Sequence, residues 1–528
     1  MKHTYTYDCY YNYQQISDVL TKYQTQFPNF AKLSSLAVTL QGRNIWLMEI
    51  TDLTTGDFNE KPAIFVEGNI HAGEVTGCMS VMYFLDTIFT NIDSEEIKQV
   101  LENYTIYAIP RLSPDGSEHY LTTPITVRSS PRDYMYTQDM PGLHKKDLDG
   151  DGAVRMMRVK SDYGVWKQSK LDSRLMSKRL PDDLFGEFYN LYDEGEILDY
   201  DGINIVDAPS RCGNDFNRNY PFSWETDAKQ RGAGDYPLSN IETKANADFL
   251  MSHPNICFVL DMHTAGGQNL YTPGYKSRKE SIKEDVSLNK TLAEMAECEN
   301  SYPAVNIYDE YFPKSFEVGI YGSFCDFCHF MIGVPTIAIE CWDLNVRAGI
   351  EMTYPPKDDV SDKQREEEAY KVLKWVDDNV NSEDGFMPWT PYEHPQLGSV
   401  EIGGYDFKYI RQNPPVTFLH QEVEKHTRFM HRVVKTLPKV SFDEVKVTPI
   451  QKDVYKVEAT LGNKGYMPTY ALKESLKNKA FKELSVEMIG DVVFIQGKKE
   501  EKIGHLGGLM HMEAMNTPVA SYSKQSIT

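Results

Sequence analysis

Residues 61–89 read KPAIFVEGNIHAGEVTGCMSVMYFLDTIF. The first part, 61–71, is a short apolar run broken only near its end, the pattern of a strand buried in a sheet and closing on a loop. From Gly73 onward apolar residues recur at helical spacing through Phe89, so the strand runs through a tight loop into a helix. The same reading extends outward. NYTIYAIPRL (103–112), NICFVLDMH (255–263) and VPTIAIECW (334–342) are further short β-rich runs, and 285–300 and 362–380 have helical patterns. Strands alternating with helices from about residue 14 to 386 predict an α/β fold on a mixed central sheet flanked by helices.

Two regions depart from this rhythm. Residues 122–210 are rich in Asp, Arg, Lys and Pro and read as an insertion or large loop region. After 395 the chain alternates apolar and polar residues between turn residues, as in 440–476 and 490–497. This predicts a catalytic domain over 1–395 and a smaller all-β, sandwich-like accessory domain over 396–528. No fixed-period repeat or low-complexity tract occurs.

Composition excludes several classes. The 528 residues carry 77 acidic against 55 basic side chains, a formal charge of −22. That opposes nucleic-acid binding, which needs a basic face, and docking on anionic lipid. The longest apolar candidate, 330–339, is too short to span a bilayer, so no membrane span is expected. The first residues lack an apolar signal core, which predicts a cytoplasmic protein, or a secreted one if a leader has been removed. Eight cysteines are too few for a disulfide scaffold. The single pair Cys325-x-x-Cys328 has no second CxxC to complete a structural zinc site, so buried free thiols are expected.

Four pieces carry chemistry. His71-Ala72-Gly73-Glu74 stands where a strand meets a helix, at the sheet end where open α/β folds bind ligands. Asp261-Met262-His263 closes a second apolar strand. Two His and a Glu with one position left open make a catalytic zinc site, whereas a closed structural site needs four ligands. Glu340 ends a third buried strand, where a carboxylate is costly without a partner or a task. In Asp215-Phe216-Asn217-Arg218-Asn219-Tyr220-Pro221 an amide and a guanidinium stand side by side, suited to holding a carboxylate. Singly, each also fits a bland role: a core histidine, a structural ion pair, a loop arginine in solvent.

In order and context the four resemble a zinc carboxypeptidase of the metallocarboxypeptidase family M14, over about residues 5–385. Residues 10–51 also resemble the start of that catalytic domain. The resemblance implies that His71, Glu74 and His263 hold one catalytic Zn²⁺, that Glu340 is the general acid/base, and that Asn217 and Arg218 clamp the substrate's terminal carboxylate. Ser113-Pro114-Asp115-Gly116 resembles the family's NPDG turn. The arginine that steadies the oxyanion follows that turn, which points to Arg128, with Arg132 as the rival. The family's substrate-side tyrosine precedes the catalytic Glu; counting lands on Val318, and Tyr321 is the nearest candidate.

There are departures from the pattern. Glu74 and His263 are 189 residues apart, longer than in the digestive members, and the insertion accounts for the excess. The position that often carries an arginine between the first His and Glu is Gly73. The pocket-floor position falls on Cys325, which signals no charged terminal side chain. Asp147-Leu148-Asp149-Gly150-Asp151-Gly152 follows a calcium loop, but its twelfth position is Arg158 rather than Glu. Ca²⁺ held with a ligand from elsewhere and a metal-free turn both fit. The function expected is zinc-dependent hydrolysis of C-terminal amide bonds in peptides with a free C-terminus. Alternatives are a zinc amidase or deacylase acting on a non-standard or γ-linked amide, and a catalytically dead binding module.

Overall fold

The computed structural model describes residues 2–315, 319–382, 384–510 and 524–527. Its centre is an eight-stranded mixed sheet of β1 (Ala31–Val38), β2 (Asn44–Ile50), β3 (Ala63–Gly68), β4 (Thr105–Ile109), β5 (Ile256–Thr264), β6 (Gln268–Tyr271), β7 (Ala304–Asn306) and β8 (Thr336–Cys341). Their spatial order is β1-β2-β4-β3-β5-β8-β6-β7. The central four, β4, β3, β5 and β8, are parallel. They are buried along nearly their whole length, which is why they read as continuous apolar runs.

Helix α1 (Val75–Thr90) follows β3 directly and is buried from Val75 to Phe89. A helix apolar all round needs cover on every side. The sheet covers one face of α1. The other receives a helix from far down the chain, Val416–Val433, whose Leu419, Val423, Phe429, Met430 and Val433 are buried in the same core. The helix Lys283–Asn300 adds Leu288, Leu292, Ala293 and Ala296.

The domain boundary expected at residue 395 moves. Strands Phe386–His394 and Gly398–Tyr405 join Met156–Lys160, Tyr189–Asp193, Trp166–Gln168 and Met176–Lys178 in one six-stranded sheet. The 122–210 region is thus a folded layer, completed by residues more than two hundred positions later. Arg158 locks the seam: its Nε and one terminal nitrogen lie 2.7 and 3.1 Å from the two Glu401 oxygens, and its guanidinium stacks between Tyr189 and Trp389. A second anchor is Glu422, fully buried on the late helix. It accepts from Tyr302 Oη at 2.6 Å and from Trp342 N at 2.9 Å, and pairs with Lys425 at 2.9 Å. Trp342 directly follows β8, so this contact steadies the strand end that carries Glu340.

The strands of the small C-terminal sheets begin after Leu437 rather than at 396, and Met467 and Leu472 between them are buried in the main core. Val440–Gln451, Val454–Asn463 and Lys524–Ile527 form one small sheet, and Leu484–Glu487 with Glu500–Gly504 a second. Leu461, Ile503 and Leu506 fill the space between them. All eight cysteines are free thiols, and Cys325 and Cys328 are buried. Among the described residues no helix is long and apolar enough to cross a membrane.

Candidate metal centre and active site

Strand register brings the distant motifs together. His263 on β5 and Glu340 on β8 are direct partners in the parallel pair. Glu74 is the residue before the first turn of α1, and His71 lies in the loop just after β3. His71 Nδ1 is 2.8 Å from Glu74 Oε1 and His263 Nδ1 is 2.7 Å from Glu74 Oε2. The three side chains are buried, and their ligand atoms lie within 4.8 Å of one another.

Each imidazole is oriented from behind by a carboxylate. His71 Nε2 is 3.1 Å from Asp215 Oδ1, and His263 Nε2 is 2.7 Å from Asp261 Oδ2. This backing fixes the tautomer that leaves Nδ1 free to bind a metal. The charge balance points the same way. The buried carboxylates Glu67, Glu74, Asp215 and Asp261 gather around the two imidazoles, and Glu67 Oε1 and Asp261 Oδ1 have no hydrogen-bond partner among the described residues. Carboxylates gathered in this way favour a cation at the His71, Glu74 and His263 ligand atoms. Two imidazole nitrogens, one carboxylate and an open side fit zinc.

Burial alone would raise the Glu74 carboxyl, but the imidazoles of His71 and His263 hold it well below the usual range. Asp215 behaves alike: burial opposes its ionisation, while Arg128, His71 and Arg218 hold it far down. Glu340 differs. Burial pushes it up to about 8; His263 opposes this and the Glu74 charge adds to it.

Of the two arginines weighed for the oxyanion role, Arg128 reaches the centre. Its Nε donates to Asp215 Oδ2 at 2.9 Å, a terminal nitrogen is 3.6 Å from Glu74 Oε1, and 44% of the side chain stays exposed. Arg132 instead packs over Phe216 and lies 3.9 Å from Glu242. Asn217 and Arg218 stand on a single 3-10 turn, Phe216–Arg218, capped by the Asp215 carboxylate through Asn217 N at 2.9 Å. One aspartate thus ties the Phe216–Arg218 turn, Arg128 and His71 together. Asn217 Oδ1 accepts from Phe324 N at 2.8 Å, which leaves its amide nitrogen outward.

Tyr321 and Tyr311 stand in different surroundings. Tyr321 lies beneath Lys229 Nζ, 4.3 Å from the ring centre, and near Tyr275. Val318 falls outside the described residues. The phenol set in the field of the site is that of Tyr311: it is raised first by the charge of Glu340 and then by burial, with Arg128 and Arg218 opposing. Tyr311 packs on a small apolar cluster of Leu270, Val305, Ile307, Cys325 and Ala338. No spacing rule singled it out. Asp261 was more legible, because side chains two apart on a strand share a face and it stands two before His263.

The Asp147–Gly152 loop gathers its three aspartates within 4.8 Å of one another. Asp147 already accepts from Gly150 N and Gly152 N, and Arg155 Nε lies 2.6 Å from Asp151. Arg158, at the twelfth position, turns away to Glu401.

A mixed α/β sheet with a His–Glu–His set at its strand ends defines a metal-dependent hydrolase. Residues 16–367, well over half of the chain, match the family described as zinc carboxypeptidase, and 439–527 match a domain of unknown function (DUF8731). The chain belongs to the zinc carboxypeptidase family of metallopeptidases. Similar curated proteins include a zinc carboxypeptidase of Saccharothrix mutabilis subsp. capreolus, 32% identical over 121 residues, which cover 22% of this chain and 27% of that one. Another is carboxypeptidase B of Astacus astacus, 29% identical over 113 residues, 21% of this chain and 35% of that protein. The matches thus span about a third or less of those proteins' lengths. Among solved structures, carboxypeptidase A from Helicoverpa armigera aligns with TM-score 0.44 and 14% identity over 71% of this chain and 75% of that one.

Proposed function

We propose that the chain is a zinc-dependent carboxypeptidase that releases the C-terminal residue of peptides. One observation carries the reading: Asp215 joins the carboxylate-binding turn 217–218 to the metal ligand His71 and to Arg128, so chain-end recognition and hydrolysis share one framework. Zinc bound by His71, Glu74 and His263 would polarise the scissile carbonyl and lower the pKa of a water toward about 7.

The chain's own residues do the rest. Arg218 and the outward amide of Asn217 hold the terminal carboxylate. Glu340, directly across from His263, takes the attacking water's proton and passes it to the leaving amine. The Arg128 guanidinium meets the negative charge that develops on the carbonyl oxygen, an effect typically of about 10²–10³ in rate. Tyr311 closes over the terminal residue. The apolar cluster beneath it, with Cys325 at the floor, supports an uncharged terminal side chain.

The test is release of the last residue from peptides with free and with amidated C-termini, with and without a chelator. Chelator-sensitive release confined to free ends supports the assignment. Equal cleavage of both ends would move it to an amidase or endopeptidase, and no turnover by the zinc-loaded protein to a binding module. No ion is assigned to the Asp147–Gly152 loop, whose carboxylates are met by its own backbone and by Arg155.

A further inference from the structure

Trp342, two residues past Glu340, holds a backbone conformation that a bulky residue avoids. Its φ is +60°, in the left-handed region where the Cβ crowds the following carbonyl. Such a conformation persists only where the surroundings over-determine it, and residues held this way cluster at functional sites. Trp342 is fully buried and is gripped from three separate segments. Its N–H donates to Glu422 Oε1 at 2.9 Å, its carbonyl accepts from Gly266 N at 2.9 Å, and its indole Nε1 donates to Ile410 O at 2.8 Å. Its ring lies 4.7 Å from the Arg347 guanidinium and packs on Phe418.

The grip from Glu422 is the costly one. Glu422 is a fully buried carboxylate. Burial would raise it, but the hydrogen bond from His426 at 3.1 Å and the charge of Lys425 at 2.9 Å hold it well below the usual carboxylate range, with Tyr302 adding a further bond. A buried ion set of this kind is seldom more stabilising than apolar side chains of the same volume. What the charge adds is a stronger bond to a backbone N–H, and with it a fixed geometry. That N–H stands where the geometry matters. Cys341 is the last residue of β8, so Trp342 decides how the chain leaves the strand. With only Cys341 between them, a rotation of the Trp342 backbone passes to Glu340, which faces His263 on one side and Gln268 on the other.

We propose that Glu422 is a positioning residue for the acid/base: through Trp342 N it locks the left-handed turn after β8 and so sets the orientation of Glu340 at the metal centre. Glu422 acts only through that turn, since its hydrogen bonds and ion pairs go to Tyr302, Trp342, Arg347, Lys425 and His426. It lies beyond the 16–367 stretch that matches the family, so the helix Val416–Val433 is part of the catalytic framework as well as a cover for α1. Misplacing a catalytic group by about 1 Å can cost on the order of 10²-fold in rate. The inference rests on the carboxypeptidase reading above.

The test compares full-length, zinc-loaded wild type with Glu422→Gln and with Glu422→Gln/Lys425→Met on a peptide with a free C-terminus. The amide keeps the shape and an oxygen for Trp342 N but loses the charge. The double variant also removes the cation that the single change leaves without its counter-charge, which protects folding. In both, kcat should fall about ten-fold, the difference between a charged and a neutral acceptor. Zinc content, KM and affinity for the released amino acid should stay within about two-fold, because the ligands and the clamp are untouched. Affinity for a phosphonate analogue of the tetrahedral intermediate should fall with kcat, because that analogue needs Glu340 in its working position. Wild-type kcat in either folded variant overturns the inference. So does a loss of kcat that only follows zinc content or the folded fraction, which is what a purely structural residue would give. Both results leave the carboxypeptidase reading standing. No release of the terminal residue by the wild type overturns that reading itself.

Discussion

Asp261→Asn separates metal affinity from fold stability. Asp261 is fully buried, and its Oδ2 lies 2.7 Å from His263 Nε2. The amide keeps the shape and still accepts from Nε2–H, but it loses the charge. A hydrogen bond to a charged group is worth about 1.5–3 kcal/mol and a neutral one about 0.5–1.5 kcal/mol, so the exchange removes on the order of 1–1.5 kcal/mol. That is roughly a ten-fold loss of zinc affinity, at the low end of about 10–100-fold for groups that back a metal-bound histidine. The stability of the metal-free protein should change less than its zinc affinity. Asp261 pairs across the strands with Glu67, each has an oxygen without a partner, and after burial itself the Asp261 charge is what raises the Glu67 carboxyl most. Removing the Asp261 charge eases ionisation of Glu67 but also takes away the anion that holds the metal-free His263 imidazolium, so the two effects oppose. The assay is zinc competition against a chelator of known affinity, with thermal unfolding of the metal-free proteins alongside. Zinc affinity unchanged within about two-fold would refute the reasoning.

Glu340→Gln should bind zinc and fold normally while turnover disappears, since an amide of the same shape cannot accept the water's proton; metal content and kcat measured on one preparation check this. Arg218→Ala should lose roughly ten- to a hundred-fold in kcat/KM on free-ended peptides and little on amidated ones, which already lack the recognised charge. Asp326 is fully buried, with one oxygen accepting from Gly274 N at 2.9 Å and the other unpaired. Burial pushes it from 3.8 up to about 7, with its backbone and side-chain hydrogen bonds opposing. Because the folded value lies above the unfolded one, its contribution to stability is full below about pH 4 and is lost as pH rises through about 7. Relative to Asp326→Asn, the wild type should lose on the order of 3 kcal/mol of unfolding free energy between about pH 5 and about pH 9. Denaturant unfolding at the two pH values measures it, and a pH-independent difference would contradict the shift.

The sequence by itself determined the α/β class and singled out His71, Glu74, His263 and Glu340 as the candidate metal set and acid/base. Each lies at a boundary that local pattern marks: an apolar run for β3, β5 or β8 ending at His71, His263 or Glu340, then a loop or helix. Period-two and period-3.6 patterns are local, so they survive without tertiary context. The tertiary structure decided what depends on pairing between distant segments. Residues 386–405 look like the start of a separate β domain because a strand pattern does not name its partner, yet register with Met156–Lys160 and the Arg158–Glu401 pair assign them to the catalytic domain. The buried face of Val416–Val433 was equally silent about its destination until α1 proved to need a second cover. Tyr311 feels the charge of Glu340 while Tyr321 lies under Lys229, and no spacing along an irregular loop encodes that difference. Gln412 is the extreme case. It reaches the loop between His71 and Glu74 from more than three hundred residues away and, with Tyr120, takes up the space that a side chain at Gly73 would need.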